Sequence, residues 1–142
     1  MKGFYATESE IEAVVRGFES CETDKTNFKH RDHLTVAVYY FQGADIQQAT
    51  ERMRSALFAF LDHHGVDRKK YNETITAFWM ELVSQVLSEG PPGLSLLENC
   101  NLVIDSLQNA GLQADYYSTT LLGSDEARTA FVKPDLKAWR KS

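Results

Sequence analysis

Apolar residues recur at helical spacing from the first part of the chain onward. Thr7 is followed three residues later by Glu10, the pattern of a capping box in which a hydroxyl and a carboxylate satisfy backbone N–H groups. Apolar residues then repeat at i, i+3, i+4 and i+7, namely Ile11, Val14, Val15 and Phe18. This pattern predicts an amphipathic first helix with one buried face.

Four later segments have the same periodicity. They predict helices over residues 30–42, 45–64, 71–88 and 95–111. Each apolar face stops at a glycine, which is typical of a helix carboxyl end; these glycines are Gly43, Gly65, Gly90 and Gly111. Residues 35–41 are β-branched and aromatic, so a strand is an alternative there, although length and period favour a helix.

The pattern changes from about residue 112. Residues 124–131 could form two helical turns capped by Ser124, and residues 132–136 should be extended because proline disfavours helix at the residue before it. The sequence therefore predicts an all-α fold: one domain over residues 1–142, an irregular bundle of about five main helices with a short helical carboxy-terminal tail packed across it.

Composition and charge narrow the function classes. The 142 residues are 43% hydrophobic and 25% charged, which is ordinary for a globular protein, and the net charge is −5. An acidic chain without a dense basic face is a poor candidate for nucleic acid or anionic lipid. The only basic run is at residues 68–70, and we interpret it as solvent contacts.

Targeting signals and cysteines indicate a cytoplasmic protein. No signal peptide is predicted, because acidic residues come before any long apolar run, and no apolar stretch reaches the length of a membrane span. Cys21 and Cys100 lack C-x-x-C spacing, so we interpret them as free thiols in a reducing compartment. We expect neither a nucleic-acid nor a membrane partner.

Histidines are the first candidates for chemistry. His30 and His33 would share one face of the second helix, and such a pair can chelate a divalent metal. A metal site needs three or four ligands, so the metal interpretation stays secondary and no cofactor is assigned. The alternative is that His30 caps the helix and His33 is a hydrogen-bonded residue at the core edge. The adjacent pair His63 and His64 diverges by about 100° and fits a helix carboxyl end better than a site.

The start of the fourth helix places polar side chains beside aromatic ones. Hydroxyl, amide and carboxylate groups next to a buried face are typical of a small-molecule pocket. These residues are Tyr71, Asn72, Glu73, Thr74, Thr76 and Trp79. The alternative is structural: Asn72 caps the helix and the threonines bond to carbonyls four residues back. The common hydrolase, nucleotide and dinucleotide motifs are absent from the sequence.

Short connections between the second, third and fourth helices favour antiparallel neighbours, which would bring the amino ends of the second and fourth helices together. We therefore expect a pocket for a small polar or anionic molecule at these two helix amino ends. His33 would act as acid or base if the protein is an enzyme, and Glu73 would orient it. The ligand would contact His30, Tyr71, Asn72, Thr74, Thr76 and Trp79.

A different class of function is the alternative. In it the chain is a non-catalytic homodimeric interaction domain, and the polar cluster only caps helices. Its interface would use exposed aromatic residues, namely Phe4, Tyr5, Tyr39 and Trp139.

Three motifs resemble those of a family of small uncharacterised bacterial proteins. They are Phe28-x-His30-x-Asp32-His33-Leu34, Lys70-Tyr71-Asn72-Glu73-Thr74-x-Thr76-x-x-Trp79, and a tail with Tyr116-Tyr117-Ser118, Ala127-Arg128 and Pro134-Asp135-Leu136. The resemblance implies a compact helical cytosolic domain and brings no assigned activity. Members often have histidine where this chain has Asn72, and asparagine is a poor ligand for zinc-like metals. This departure argues against a three-histidine site and leaves a hydrogen-bonding pocket open.

Overall fold

The computed structural model of the chain describes residues 3–138. Over these residues it contains eight α-helices, two 3-10 turns and no strand, so the predicted all-α class is confirmed. The helices are α1 Glu8–Glu19, α2 His30–Phe41, α3 Ile46–His63, α4 Glu73–Glu89, α5 Leu96–Leu107, α6 Gln113–Tyr116, α7 Thr119–Leu122 and α8 Asp125–Thr129. The strand alternative for residues 35–41 is wrong, since this run lies within α2.

Three of the long helices begin with the capping boxes that the sequence contains. The side chains of Thr7, Asp45 and Ser95 each accept from the backbone N–H three residues on, in α1, α3 and α5. The caps fix where each apolar face begins, and therefore the phase at which it meets its neighbours.

Two predicted boundaries need correction. The fifth helix ends at Leu107 rather than near Gly111, because the Asn109 side chain accepts from the N–H of Gly111 and starts a 3-10 turn there. The fourth helix begins at Glu73, since residues 68–70 form a 3-10 turn and Tyr71 is extended.

The second helix is the centre of the bundle. It packs against α1, α3, α4 and α5. Its residues 34–38 are all buried, and five consecutive helical positions point in every direction around the axis. α2 is therefore covered on nearly all sides, which explains its weak amphipathic pattern.

The tail packs on the bundle through backbone and hydroxyl hydrogen bonds. The N–H of Leu136 donates to the carbonyl of Tyr116 (2.9 Å), and the Tyr117 hydroxyl donates to the carbonyl of Val132 (2.6 Å). Ser124 caps α8 by accepting from Ala127 (3.1 Å), and residues 132–136 are non-helical, as predicted. None of the helices within residues 3–138 combines the length and the apolar character needed to cross a bilayer.

Candidate functional site

The amino-terminal halves of α2 and α4 lie together, as the alternating helix directions predict. The rings of His30 and Trp79 meet edge to face with their centroids 4.5 Å apart. A cavity of 340 Å³ lies between these halves, the middle of α3 and the 3-10 turn that precedes α6. Most of its surface is carbon, and its polar atoms come from His30, His33, Thr76, Trp79 and Gln113.

His33 is a partly buried imidazole at the cavity wall. Burial, with a smaller contribution from nearby His30, lowers the pKa of His33 to about 4, so the ring is neutral near pH 7. Its ring lies against that of Phe28, with centroids 4.3 Å apart. Within residues 3–138 no hydrogen bond reaches either ring nitrogen. The interpretation of His33 as a hydrogen-bonded residue at the core edge is therefore wrong.

His30 is fixed in place by its neighbours. Its Nε2 donates to the carbonyl of Leu107 on α5 (2.8 Å), which places the proton of the neutral ring on Nε2. The Trp79 indole beside it donates to Oε1 of Gln113 (3.0 Å). His30 thus ties α2 to α5 and does not cap its own helix, and Trp79 and Gln113 form an ordered polar edge of the cavity.

The described residues supply no third ligand for a metal ion beside His30 and His33. No group of three or more His, Cys, Asp or Glu side chains in the described part of the chain is placed to hold a metal ion. His30 and His33 alone provide fewer ligands than a protein zinc site takes.

Glu73 and Tyr71 belong to a different cluster. The Glu73 carboxylate accepts a two-pronged pair of hydrogen bonds from Arg54 (2.8 and 2.6 Å) and a third from the Tyr71 hydroxyl (2.6 Å). Burial alone would raise the pKa of Glu73, but these bonds outweigh it and lower the pKa. Burial and Glu73 together raise the pKa of Tyr71 to about 12. The structure therefore does not join Glu73 to His33, and the expected orienting bond is absent among residues 3–138.

Asn72 and Thr74 hold the amino end of α4 to the tail. The Asn72 amide oxygen accepts from Ile75 (3.0 Å) as a helix cap, and its nitrogen donates to the carbonyl of Leu122 (2.8 Å). The buried Thr74 hydroxyl donates to the carbonyl of Ala130 (2.9 Å) and accepts from the N–H of Val132 (3.1 Å). Thr74 thus bonds to the tail instead of to a carbonyl four residues back.

The residues expected to form one ligand site are therefore divided in three. His30, His33, Thr76 and Trp79 line the cavity, Tyr71 and Glu73 line an open groove, and Asn72 and Thr74 anchor the tail. The Thr76 hydroxyl is close enough to that of Tyr71 to lower its pKa slightly, so Thr76 lies between the cavity and the groove.

Most of the residues that line the cavity were not among the expected site residues, and two of them show why. Phe28 lies just before α2 and Gln113 lies in the tail. Phe28 carries a sequence signal, since it belongs to the motif that begins at this residue. Gln113 carries none, because it stands 34 residues from Trp79 in a segment without periodicity.

The interface expected for a homodimer is only partly exposed. Tyr5 is 6% exposed and its hydroxyl is bonded to that of Thr35 (2.9 Å), so its assignment to an interface is wrong. Phe4 is exposed, with the Arg31 guanidinium 3.8 Å above its ring, and Tyr39 is partly buried. Trp139 lies outside the described residues.

No protein-family model, curated protein or solved structure matches the chain, so the resemblance to a bacterial family stays a prediction and function has to be argued from the geometry.

Proposed function

We propose that the protein binds a small, mainly apolar molecule in the cavity beside His33, with one polar group of the ligand bonded to the imidazole. The observation that supports this most is the neutral His33 ring, which lines the cavity and has no hydrogen-bond partner among residues 3–138. The ring nitrogens of His33 are not among the fully buried unpaired atoms of residues 3–138, so they remain accessible from the cavity. A ligand that donates to His33 or accepts from it can therefore bond to the ring without displacing a protein partner.

Size and wall chemistry favour a small apolar body. A volume of 340 Å³ is near the lower end of the range for small-molecule sites. Leu34, Met53, Ile75 and Met80 supply carbon and sulfur surface, while Phe28 and Trp79 supply aromatic surface.

Charge favours a neutral ligand over the polar or anionic one expected from the helix amino ends. Among residues 3–138 no arginine or lysine lines the cavity, and the His33 ring is uncharged near pH 7. Taking an anion out of water without a compensating charge is costly, and helix ends alone offset little of that cost.

The same pKa favours binding over acid–base catalysis. A general base works best when its pKa is near the working pH, and an imidazole with a pKa of about 4 is a weak base at pH 7. His33 thus serves the proposed site as a neutral hydrogen-bonding group. An acid–base role for His33 remains a hypothesis; it requires a bound ligand that raises the pKa, which NMR titration of the His33 ring would show.

The experiment compares two probes of the same shape. Indole carries one N–H donor and indene carries none, so their difference isolates the bond to His33. In ¹H–¹⁵N NMR titrations we expect indole to shift the signals of cavity residues, above all the side chains of Trp79 and Gln113. Indene should bind roughly tenfold more weakly, the effect of losing one buried hydrogen bond.

Two variants and one control complete the test. His33→Phe should remove the preference for indole over indene, and Ala37→Leu should fill the cavity and abolish binding of both. Ala59→Leu makes the same substitution at an exposed position of α3 and should bind like the wild type. Shifts scattered over the surface, or undiminished binding by Ala37→Leu, would contradict the proposal.

The homodimeric interaction domain is the weaker proposal, since one of its four aromatic residues is buried. Sedimentation equilibrium at micromolar concentration tests it directly. A monomer there would count against a dimer.

A further inference from the structure

A second recess lies beside the amino end of α4 and shares no lining residue with the cavity. It is an open groove of 590 Å³ between α3, the 3-10 turn at Arg68–Lys70, the start of α4 and α8. Its lining includes Arg54, Phe58, Arg68, Tyr71, Glu73 and Arg128.

The groove is positive in a chain of net charge −5. From the described part of the chain, three guanidiniums line it against one carboxylate, that of Glu73. The basic run at residues 68–70, interpreted from sequence as solvent contacts, contributes one of these guanidiniums. Lys69 lies near Asp125, the partner of Arg128, and its charge helps to lower the pKa of that carboxyl.

The three arginines are not held equally. Arg54 is fixed by its two bonds to Glu73, whose side chain is only 14% exposed. Arg68 and Arg128 pair instead with Asp62 and Asp125, whose side chains are 51% and 92% exposed. Neither aspartate lines the groove.

Exchange of these two partners costs little. Ion pairs with exposed carboxylates contribute little to stability, because water solvates both charges almost as well. An anion inside the groove would meet guanidiniums from two separate elements and could take bidentate hydrogen bonds from them. The ring of Phe58, with the Arg68 guanidinium 4.6 Å from its centroid, adds an apolar wall, and the ring of Phe131 adds another at the rim.

We infer that this groove is a binding site for a small aromatic oxyanion, a carboxylate or a phosphate ester, held by Arg68 and Arg128. The anionic group replaces Asp62 and Asp125 as their partner, and the ring of the ligand packs on the phenylalanines. Arg54, Glu73 and Tyr71 form the fixed floor. The inference does not depend on the cavity, because the two sets of lining residues are separate.

The test uses three probes that share a ring. Benzoate and phenyl phosphate carry the anion, and benzyl alcohol is the neutral control. We expect both anions to shift the Arg68 and Arg128 side-chain NMR signals with saturation in the millimolar range, and benzyl alcohol to leave them unchanged. Tighter binding of phenyl phosphate would identify a phosphate ester as the ligand class, and tighter binding of benzoate a carboxylate.

Variants of the two arginines make the test specific; the Arg68 side chain is 59% exposed and that of Arg128 29%. The double variant Arg68→Gln/Arg128→Gln should bind both anions at least tenfold more weakly. The single variant Arg128→Lys should fall between it and the wild type, since it keeps the charge and loses the planar fork. Arg52→Gln is the matched control: Arg52 lies on α3, is exposed, pairs with partly exposed Glu19 and does not line the groove.

Several results would overturn the inference. They are undiminished anion binding by the double variant, equal losses in Arg52→Gln, or equal shifts with benzyl alcohol. Indole binding measured on the same double variant separates this inference from the cavity proposal, because it should be unchanged if the two sites are independent.

Discussion

The cavity and the groove lie beside the same first turns of α4, yet they treat polar groups in opposite ways. In the cavity the neutral, partly buried imidazole of His33 faces a mostly apolar wall and lacks a hydrogen-bond partner within residues 3–138. In the groove the charged side chains are each paired, Glu73 with both Arg54 and Tyr71. The contrast teaches that polar residue types alone do not mark a ligand site. In the cavity a ligand would bond directly to His33, whereas in the groove an anion has to replace the exposed carboxylates that Arg68 and Arg128 already bind.

Among the substitutions that test this contrast, we expect the largest loss of stability at the Glu73 carboxylate in the groove. Glu73→Gln removes the charge that Arg54 and the Tyr71 hydroxyl bind, and leaves a guanidinium that is only about one-third exposed without its partner. We expect a loss of about 2–3 kcal/mol in the free energy of unfolding, less than for a fully buried pair because Arg54 reaches water. Urea unfolding measures it.

Glu81→Gln on the same helix is the control for that variant and should change stability by less than about 0.5 kcal/mol. If Glu73→Gln and Glu81→Gln lower the free energy of unfolding equally, Glu73 stabilises the fold no more than an ordinary carboxylate on the same helix.

The next effect is a pH dependence that comes from the cavity. The pKa of His33 is about 4 in the folded chain, against about 6.5 when unfolded, so the unfolded state binds the proton more readily between these values. Stability is then lost as pH falls from about 6.5 towards 4, by about 2 kcal/mol between pH 7 and pH 5. The quantity to measure is the difference between the wild-type and His33→Phe stability profiles, in which the other titrating groups cancel.

His63→Phe controls for the general effect of replacing a histidine, because His63 is exposed. It should follow the wild-type profile. If His33→Phe follows it as well, His33 is not the neutral group with a lowered pKa that the cavity proposal needs.

The smallest effect is expected at Asn72, which connects α4 with the tail. Asn72→Ala loses the cap to Ile75 and the bond to Leu122, and should lower the free energy of unfolding by about 1.5 kcal/mol. Asn72→Ser keeps a capping oxygen and loses only the bond to Leu122, so thermal and urea unfolding should show less than half that loss. Equal losses would assign the whole effect to the tail.

The long helices could be predicted because their signals are local. The capping pair Thr7 and Glu10 and the apolar stripe behind it lie within a few turns of each other, and so do those that begin at Asp45 and Ser95. Where the end of a helix depends on a later side chain, as at Asn109, the glycine signal was misleading.

The site was harder to predict because partners come from distant segments. The polar and aromatic side chains at the start of α4 indicate a ligand site, namely Tyr71, Glu73, Thr76 and Trp79. Their phase on the helix and the neighbours of each one divide them between the cavity and the groove. Arg54, which donates hydrogen bonds to Glu73, is 19 residues away from it and belongs to no recognisable motif. What could be predicted was the meeting of two helix amino ends, since it follows from chain direction alone.

The Thr74 hydroxyl has a consequence for the order in which the molecule can be completed. Its partners, the carbonyl of Ala130 and the N–H of Val132, follow it by 56 and 58 residues. During synthesis α4 therefore exists long before the groups that satisfy this buried hydroxyl have been translated. Closing so long a loop late costs chain entropy, while the pairs among α2, α3 and α4 close shorter ones. The segment at residues 130–132 is thus the last part of the groove to be put in place. The cavity walls from α2, α3 and α4 can assemble before it.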